Sequence, residues 1–499
     1  MREIITVQVG QCGNQIGRRF WLEMLHEAAI QPQHGYDASM SALFRNVDVR
    51  YEPPIELHVG SLLSSVRARA ILVDTEEAVV AETMRDPVLR DLFDESQLIT
   101  DVSGAGNNWA QGYCEYGPRS RPRIEAAARR ALEACDSPQA FFFLHSVGGG
   151  TGSGLGSSAL ELMRDVFPDV CRFSVAVYFR RADMPRTGRG DAAADGSRRR
   201  RGRDADIPWR RGAATPRPRR GNSVETGARL RYPSGDDDDV ITGPYNAVLS
   251  TRWLTEASDA VVPVENKALL DACSRQKCKA ERESGFDAMN DVVAQLLSHL
   301  TAGARYPGSL NLDINEIATN LVPFPRLHYL TASFSPLLTR AWGTPNTNTG
   351  AGTSKTLQRL CSEACMPTSR LVASNPANKG ACQRSLACAL LGRGGTISAD
   401  LTDAAERLRP TLRLSGWNPD GLKIGACAVP PLRSSSAVLC LNNSSGIVFN
   451  FNRLRERFNK LYNAKAMLHH YTQIMELDGF EEAIHDLESV IAGYETAAR

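Results

Sequence analysis

The sequence predicts a doubly wound α/β domain that is built on a parallel sheet. Short apolar segments at residues 4–9 (IITVQV), 70–73 (AILV) and 141–144 (FFFL) each precede a polar or glycine-rich loop and then a helical pattern. Strands that alternate with helices in this way are typical of parallel sheets with helices on both faces. Because ligands of such folds bind at the carboxyl ends of the strands, we expect the loops to meet at one site.

The composition excludes a membrane protein and indicates several domains. The chain has 499 residues, of which 42% are hydrophobic, and it has no apolar stretch near the roughly 18 residues of a membrane span. The start MREIITVQVG lacks the pattern of a signal peptide, which predicts a cytosolic location. The 12 cysteines lack paired zinc-ligand spacing, so we expect thiols, with Cys361 and Cys365 as packing residues.

The most informative segment is the glycine-rich stretch at residues 146–156 (SVGGGTGSGLG), which lies between an apolar strand pattern and an apolar helical pattern. A strand, a bare loop and a helix N-terminus form an anion site, because free N–H groups and the helix dipole favour a phosphate. No Lys-Ser/Thr pair follows the glycines, and their spacing never gives G-x-G-x-x-G. The stretch therefore favours phosphate binding over a flexible linker, but outside the Walker A and dinucleotide classes.

Residues 180–231 form a segment of a different kind, with sixteen arginines, no lysine and six acidic residues. Its Pro and Gly content and its lack of apolar periodicity predict disorder. One interpretation is a basic tether for nucleic acid or for acidic protein surfaces. The other is a translated non-coding sequence, such as a retained intron.

Five motifs together resemble tubulins, and the resemblance runs from residue 1 to about residue 494. They are GQCGNQIG (10–17), GAGNNWA (104–110), GGGTGSG (148–154), PYNAVLS (244–250) and NLVPFPRLHYL (320–330). Without the intervening segment, SVAVY (174–178) joins PSGDDDDVITGPYN as in a tubulin strand and its sugar-contacting loop. We therefore interpret residues 179–232 as a disordered insertion or a gene-model artefact, and we expect no nucleic-acid partner.

Within the family, the chain is most similar to the epsilon class. Four segments carry this similarity: FRNVDVR (44–50), PSGDDDDVIT (233–242), SLNLDINEIATN (309–320) and KAMLHHY (465–471). The resemblance implies a cytoplasmic, cytoskeletal protein of the centrosome, centriole or basal body that supports triplet microtubules and cilium assembly. Its implied partners are other tubulin subunits, in longitudinal contacts, and centriolar proteins.

The resemblance also implies three regions. Residues 1–267 would form the tubulin-type GTPase domain, residues 268–449 a mixed α+β intermediate domain that includes the central helix, and residues 450–499 a C-terminal helical region. Apolar spacing predicts two amphipathic helices in this last region, the first of which includes Met467 and Leu468. The Gly/Asn/Thr-rich residues 339–355 stand where tubulins have their lateral-contact loop, and their composition predicts mobility. The long acidic tail of bulk tubulins is absent at TAAR, so we expect tail-dependent partners to bind differently.

The site implied by the resemblance binds GTP or GDP with Mg²⁺. Asn266 and Asn290 would read guanine, since a side-chain amide both donates and accepts hydrogen bonds. Asp239 would contact the ribose and Phe286 would stack on the base. The implied nucleotide-binding residues are Gln11, Cys12, Gln15, Asn107, Ser146, Gly149, Gly150, Thr151, Gly152, Asp239, Asn266, Phe286 and Asn290. Glu76 and Asp74 would orient Mg²⁺ through water, since an acidic strand end suits a hydrated cation.

Hydrolysis depends on a neighbouring subunit in tubulins. Glu316 matches the acidic residue that one subunit inserts towards the next subunit's nucleotide, so it is a candidate catalytic residue in trans, and turnover by the isolated chain should be slow. Two alternatives remain. One is a non-polymerising interaction protein at the centrosome that uses bound nucleotide as a structural staple. The other is a Rossmann-type oxidoreductase, which the missing glycine spacing argues against.

Overall fold

The computed structural model describes residues 2–30, 35–179, 240–275, 285–306, 308, 310–337, 357–373, 383–394 and 397–499. The arginine-rich residues 180–231, Asp239 and the predicted lateral-contact loop at residues 339–355 lie outside the described residues.

Strands and helices alternate along the first half of the chain, as the apolar pattern predicts. In chain order the strands are β1 (Glu3–Val9), β2 (Phe44–Asp48), β3 (Ile55–Leu57), β4 (Ser65–Ala68), β5 (Ala70–Asp74), β6 (Leu98–Thr100), β7 (Pro138–Ser146), β8 (Cys171–Tyr178), β9 (Ala260–Glu265), β10 (Leu330–Ser335), β11 (Ser385–Arg393), β12 (Leu422–Cys427) and β13 (Ala437–Ser444). The helices are α1 (Gly10–Ile30), α2 (Ala38–Ser41), α3 (Glu77–Arg85), α4 (Gly117–Glu133), α5 (Gly156–Val166), α6 (Gly243–Ala257), α7 (Asn266–Arg275), α8 (Gly285–Arg305), α9 (Ile314–Leu321), α10 (Leu357–Cys365), α11 (Ile397–Leu412), α12 (Val448–Asn463), α13 (His469–Thr472) and α14 (Asp478–Ala497).

The predicted doubly wound sheet is confirmed. Six strands pair in parallel in the order β6-β5-β1-β7-β8-β9. The chain moves outward from β1 through β5 to β6, and then returns to the other side of β1 for β7, β8 and β9. The direction of winding therefore reverses between β1 and β7, and a crevice opens at the carboxyl ends of strands at such a switch point.

The central strands are apolar because helices cover both faces of the sheet. Every residue of β1 is buried, and its side chains alternate between two cores. Ile5 and Val7 lie in the core with α5 and α6, and Ile4 lies in the core with α1 and α8. Burial on both faces explains why residues 4–9 are mostly apolar, and the two polar residues among them, Thr6 and Gln8, are buried as well.

Two further sheets complete the chain. One is mixed, with the order β10-β13-β11-β12, in which only β11 and β12 run parallel. The other is a small antiparallel sheet with the order β3-β2-β4. Helix α8, which the sequence predicts from the apolar pattern at residues 286–300, packs against α1 and also contacts β11, β12 and β13. It is therefore the physical link between the parallel and the mixed sheet.

A buried cluster of charged side chains stabilises the contact between α1, α8 and β11. Glu27 of α1 accepts hydrogen bonds from Arg305 of α8 at 2.5 Å, from Arg393 of β11 at 3.2 Å and from Ser298 at 2.8 Å. Burial alone would raise the pKa of Glu27, but the two guanidinium groups outweigh burial and lower that pKa to about 2. The carboxylate is therefore ionised at neutral pH, and three separate segments share its charge.

The C-terminal region contains helices that pack on α6, with one difference from prediction. The sequence pattern predicts a first helix that continues through Met467 and Leu468, but α12 ends at Asn463. Lys465 and Met467 have positive φ angles of 51° and 59°, which a helix does not tolerate, so the chain turns before the short α13. No helix among the described residues is both long and apolar enough to cross a membrane.

Candidate functional site

The site begins where β1 and β7 end, at the switch point of the parallel sheet. Helix α1 starts directly at Gly10, whose φ is +73°. A Cβ atom built on Gly10 would lie 2.9 Å from the backbone nitrogen of Gly152, so only glycine allows this approach. The first turns of two helices therefore meet at one point, and the positive ends of their dipoles face the same space.

The glycine stretch differs from the bare loop that the sequence predicts. From Thr151 the backbone is already helical, in a π-helical turn at Thr151–Leu155 that continues into α5. Some glycines are needed for close packing. A Cβ on Gly150 would lie 2.5 Å from the Ala105 carbonyl oxygen, whereas the nearest atoms to a Cβ on Gly149 would lie at 3.8 Å. The sequence does not show which glycines are needed for close packing and which face the cavity, because the residue type is the same at each position.

A third loop, at residues 104–109, closes the site, and one buried side chain holds it. Asn246 donates from Nδ2 to the carbonyl oxygens of Asn107 (2.8 Å) and Gly148 (2.7 Å). Its Oδ1 accepts from the Trp109 backbone nitrogen (2.9 Å) and from the Tyr471 hydroxyl (2.5 Å). Asn246 therefore connects the loop at residues 104–109, the glycine stretch and the C-terminal region. Asn246 belongs to the PYN motif at residues 244–246, but that motif does not predict that its side chain connects these segments.

These elements enclose a cavity of about 590 Å³, within the usual size range of ligand pockets. Every predicted nucleotide-binding residue among the described residues lines it: Gln11, Cys12, Gln15, Asn107, Ser146, Gly149, Gly150, Thr151, Gly152, Asn266, Phe286 and Asn290. Asp239 lies outside the described residues. The predicted convergence of the loops on one site is confirmed, and what the cavity binds is a separate question.

The end of the cavity away from the glycine stretch is built by α7 and α8. Asn266 opens α7 directly after β9, which is two strands from β7, or about 10 Å along the sheet edge. Asn290 and Phe286 come from the first turns of α8, and the Phe286 side chain is half exposed. Apolar side chains from Leu269 and Val293 line the same end. This end offers two amides and an aromatic face to a planar ligand.

Cys12, on α1, also lines the cavity and is not a nucleophile. Burial raises the pKa of its thiol to about 12, so the sulfur is protonated at neutral pH and acts as a small apolar group.

Two acidic residues stand at the carboxyl end of β5. The Asp74 side chain is buried, its Oδ1 accepts from the Glu76 backbone nitrogen at 3.3 Å, and its Oδ2 has no hydrogen-bond partner among the described residues. Burial raises the pKa of Asp74 to about 6. A buried carboxylate oxygen without a partner at the edge of the cavity suits a hydrated cation. The described residues contain no cluster of three metal-ligating side chains, so water and ligand oxygens would have to supply most of the coordination.

The cavity has cationic neighbours that sequence reasoning missed. Arg18 and Arg19 line it from α1, and helical spacing from Gln11 and Gln15 could have indicated Arg18. Arg18 pairs with Glu82 and with Asp86, the latter at 3.1 Å. Since acidic side chains already compensate this guanidinium, the helix N-termini supply the positive potential of the crevice.

Glu316 lies far from this cavity. It stands in the first turn of α9, where its Oε2 accepts from the Asp313 backbone nitrogen at 3.0 Å and Asp313 Oδ1 accepts from the Glu316 nitrogen at 2.8 Å. Asp313 in turn accepts from Gln139, at the start of β7. Ser146, at the cavity, is seven residue steps further along β7, or about 23 Å at 3.3 Å per residue. Glu316 is exposed at the opposite end of the strands, and its capping role was not part of the prediction.

Comparisons with known proteins agree with this architecture. The family described as "Tubulin/FtsZ family, GTPase domain" matches residues 3–187, and "Tubulin C-terminal domain" matches residues 325–456. The tubulin epsilon chain of Mus musculus is 39% identical, over 99% of this chain and 96% of that protein, and the tubulin epsilon chain of Homo sapiens is 38% identical over the same shares. The tubulin beta-1 chain of Colletotrichum graminicola is 30% identical over 99% of this chain and 95% of its own length. Two helix N-termini at the switch point of a parallel sheet, with these matches over nearly the whole length, lead to one conclusion: the chain belongs to the tubulin family of GTP-binding proteins.

Proposed function

We propose that this chain is a specialised tubulin of centrioles or basal bodies that assembles longitudinally with other tubulin subunits and hydrolyses GTP across the contact. The observation that carries the proposal is the placement of two features at opposite ends of one sheet. The cavity lies at the carboxyl ends of the parallel strands, and Glu316 lies at their amino ends. Head-to-tail stacking brings the first feature of one subunit to the second feature of the next.

In this proposal the cavity holds GTP along the edge of the sheet. The first turns of α1 and α5 receive the phosphates, with Gly149 open to the cavity and the backbone nitrogen of Gly152 close to Gly10. Asn266 and Asn290 read the guanine edge, and Phe286 stacks on the base. The Mg²⁺ ion, when bound, neutralises phosphate charge, while the Asp74 and Glu76 carboxylates orient its waters.

The distance between Glu316 and the cavity of its own chain supports hydrolysis in trans. Glu316 cannot reach the cavity of its own chain, because β7 separates them by about 23 Å. Its exposed carboxylate is available to a neighbour, in which it would position the attacking water. Bound GTP therefore waits for the next subunit, and the isolated chain should turn over slowly.

The capping box decides which substitution tests this proposal. Glu316→Gln keeps an oxygen that can accept from the Asp313 nitrogen, so the start of α9 is preserved while the charge is lost. Glu316→Ala removes both the charge and the hydrogen bond from the Asp313 nitrogen, and costs about 1 kcal/mol, while Asp313 remains as the N-cap. Glu316→Gln is therefore the informative variant, and Glu316→Ala reports on stability.

The experiment measures GTP turnover by the full chain alone and in mixtures with αβ-tubulin under assembly conditions. We expect the mixture to accelerate turnover and Glu316→Gln to lower the accelerated rate by about 100-fold, with an unchanged melting temperature. Equal rates for wild type and Glu316→Gln in sedimenting assemblies would refute catalysis in trans.

A second candidate function is a non-polymerising interaction protein of the centrosome that keeps nucleotide as a structural staple. One observation favours it: the capping box gives Glu316 a structural role that needs no neighbour. In this case the chain retains GTP after gel filtration and never sediments with αβ-tubulin. Sedimentation in the same mixtures separates the two candidates.

The location rests on sequence similarity. The two epsilon chains are 38–39% identical to this chain, and the fungal beta-1 chain is 30% identical. A fluorescently tagged chain should concentrate at centrioles or basal bodies, and its depletion should convert triplet microtubules to simpler ones in electron micrographs. A diffuse tag with intact triplets after depletion would contradict the proposal. The regions 1–267, 268–449 and 450–499 remain our proposal for its domains.

A further inference from the structure

The mixed sheet carries a cluster of thiols on its face towards α10. The Cys440 sulfur, on β13, lies 3.7 Å from the Cys388 sulfur, on the adjacent strand β11. The Cys365 sulfur, at the last residue of α10, lies 3.9 Å from Cys440 on another side. All three residues are thiols rather than disulfides. The Cys440 sulfur is therefore within contact distance of two other thiols, each from a different element.

The cluster opens onto a cavity of about 520 Å³ that is separate from the nucleotide site. Cys365 and Cys440 both line it, with Ser333, Arg370 and Arg413. Cys365 is half-buried and Cys440 is 3% exposed, so a small reagent reaches these sulfurs through the cavity, whereas Cys388 lies behind them, fully buried. Among the described residues, no group of three His, Cys, Asp or Glu side chains is placed so that it could hold a metal ion.

The environment of Cys440 favours its anion. The Cys365 S–H group donates a hydrogen bond to this sulfur, and the Cys388 sulfur lies in hydrogen-bond contact with it. Arg370 adds a positive charge and Ser333 a further hydrogen bond. Together they lower the pKa of Cys440 well below its usual range, although burial alone would raise it. The pKa values of Cys365 and Cys388 are raised, first by these hydrogen bonds and then by burial, so they remain protonated donors.

The positions of the two neighbouring cysteines decide which of them can form a disulfide with Cys440. Cys388 stands opposite Asn442, and Leu390 stands opposite Cys440, so the two cysteines are diagonal neighbours. Diagonal neighbours have Cα atoms about 7–8 Å apart, beyond the reach of an unstrained disulfide. Cys365 ends a nine-residue helix and has no strand register to keep. Cys365 is therefore the thiol that can close onto Cys440.

We propose that Cys440 is an oxidation-sensitive thiol that hydrogen peroxide converts into a Cys365–Cys440 disulfide. The Cys440 sulfur attacks one peroxide oxygen, the O–O bond breaks, and hydroxide leaves as the sulfenic acid forms. The Cys365 sulfur then attacks the sulfenic sulfur, the S–S bond forms, and the hydroxyl leaves with the Cys365 proton as water. Two thiols lose two electrons, and peroxide is reduced to two water molecules. Cys388 is a positioning residue that stabilises the anion.

The first experiment measures the rate of iodoacetamide alkylation of each cysteine in the reduced full chain as a function of pH, by peptide mass spectrometry. We expect the midpoint for Cys440 to lie below about 8.5, the value of an ordinary thiol. Cys388→Ala, which removes one donor, should raise that midpoint by about one unit. The internal reference is Cys135, whose pKa burial raises to about 11, and its profile should not change. A midpoint for Cys440 at or above 8.5 would overturn the proposal.

The second experiment adds hydrogen peroxide and maps disulfide-linked peptides without reduction. We expect a link between Cys365 and Cys440 that dithiothreitol reverses. Cys365→Ser should stop the reaction at a sulfenic acid on Cys440 that dimedone traps, and Cys440→Ser should abolish both products. Cys365 is half-buried at a helix end, so its variant remains a usable test if Cys440→Ser does not fold. A link between Cys388 and Cys440, or no link at all, would refute the proposal.

Discussion

Asn246→Ala tests whether one buried amide holds the nucleotide cavity together. The side chain is fully buried and takes part in four hydrogen bonds, to Asn107, Gly148, Trp109 and Tyr471. Each bond contributes about 1 kcal/mol, and a buried group left without a partner costs more, so the loss should be about 3–6 kcal/mol. Such a loss is a large fraction of the stability of an ordinary domain, about 5–15 kcal/mol. Two of the bonds fix backbone at the cavity, so GTP affinity should also fall by at least about tenfold.

The matched control is Tyr471→Phe, which removes the bond from the C-terminal region to Asn246, together with the interaction of the same hydroxyl with Thr242, and leaves the other three bonds of Asn246 in place. It should cost about 1 kcal/mol and leave GTP affinity unchanged. Urea unfolding with and without GTP, together with titration of a fluorescent GTP analogue, measures both effects. If the two variants lose similar stability, or if Asn246→Ala binds GTP like the wild type, the assignment of Asn246 as the common anchor is wrong.

Two further predictions concern the glycine stretch. Gly150→Ala brings a Cβ to 2.5 Å from the Ala105 carbonyl oxygen and should lower the free energy of unfolding in urea by about 1–3 kcal/mol. Gly149→Ala, whose Cβ would have its nearest neighbours at 3.8 Å, should lower it by under about 1 kcal/mol. Equal losses would contradict the distinction between the two glycines. Burial lowers the pKa of His145, which lies 2.9 Å from the Gly152 carbonyl oxygen, to about 4, against about 6.5 when unfolded. The unfolded state therefore binds the proton first, and about 3 kcal/mol of stability should be lost as pH falls from 6.5 to 4. His145→Gln should remove that slope from the unfolding midpoints, and an unchanged slope would exclude His145 as its source.

The sequence predicts the parallel sheet well because its strands are buried on both faces. β7 has an unbroken apolar run at residues 140–144 and β1 is mostly apolar, since helices cover both sides. Strand order was not predictable, because β1 pairs with β5 and β7 rather than with the next strand along the chain. The small sheet β3-β2-β4 was also missed. Its strand Ile55–Leu57 is largely exposed and leaves no apolar pattern.

The candidate site shows a similar division. The motifs bring the glycine stretch and Asn266 to one cavity although more than 100 residues separate them, which no local pattern could do. The capping role of Glu316 could have been predicted from the sequence, since Asp313 and Glu316 have the spacing of a capping box before an apolar helix. The role of Asn246 was not, because its partners come from three distant segments.

The ion cluster around Glu27 bears on how the molecule can be divided. In the intact chain, removing one partner of this buried cluster costs about 3–5 kcal/mol, a large share of the stability of a small domain. A fragment that ends before α8 would lose both Arg305 and Arg393 and would also expose the apolar face of α1 that α8 covers. The parallel and mixed sheets are therefore expected to unfold in a single transition, and truncated halves expressed alone should be insoluble.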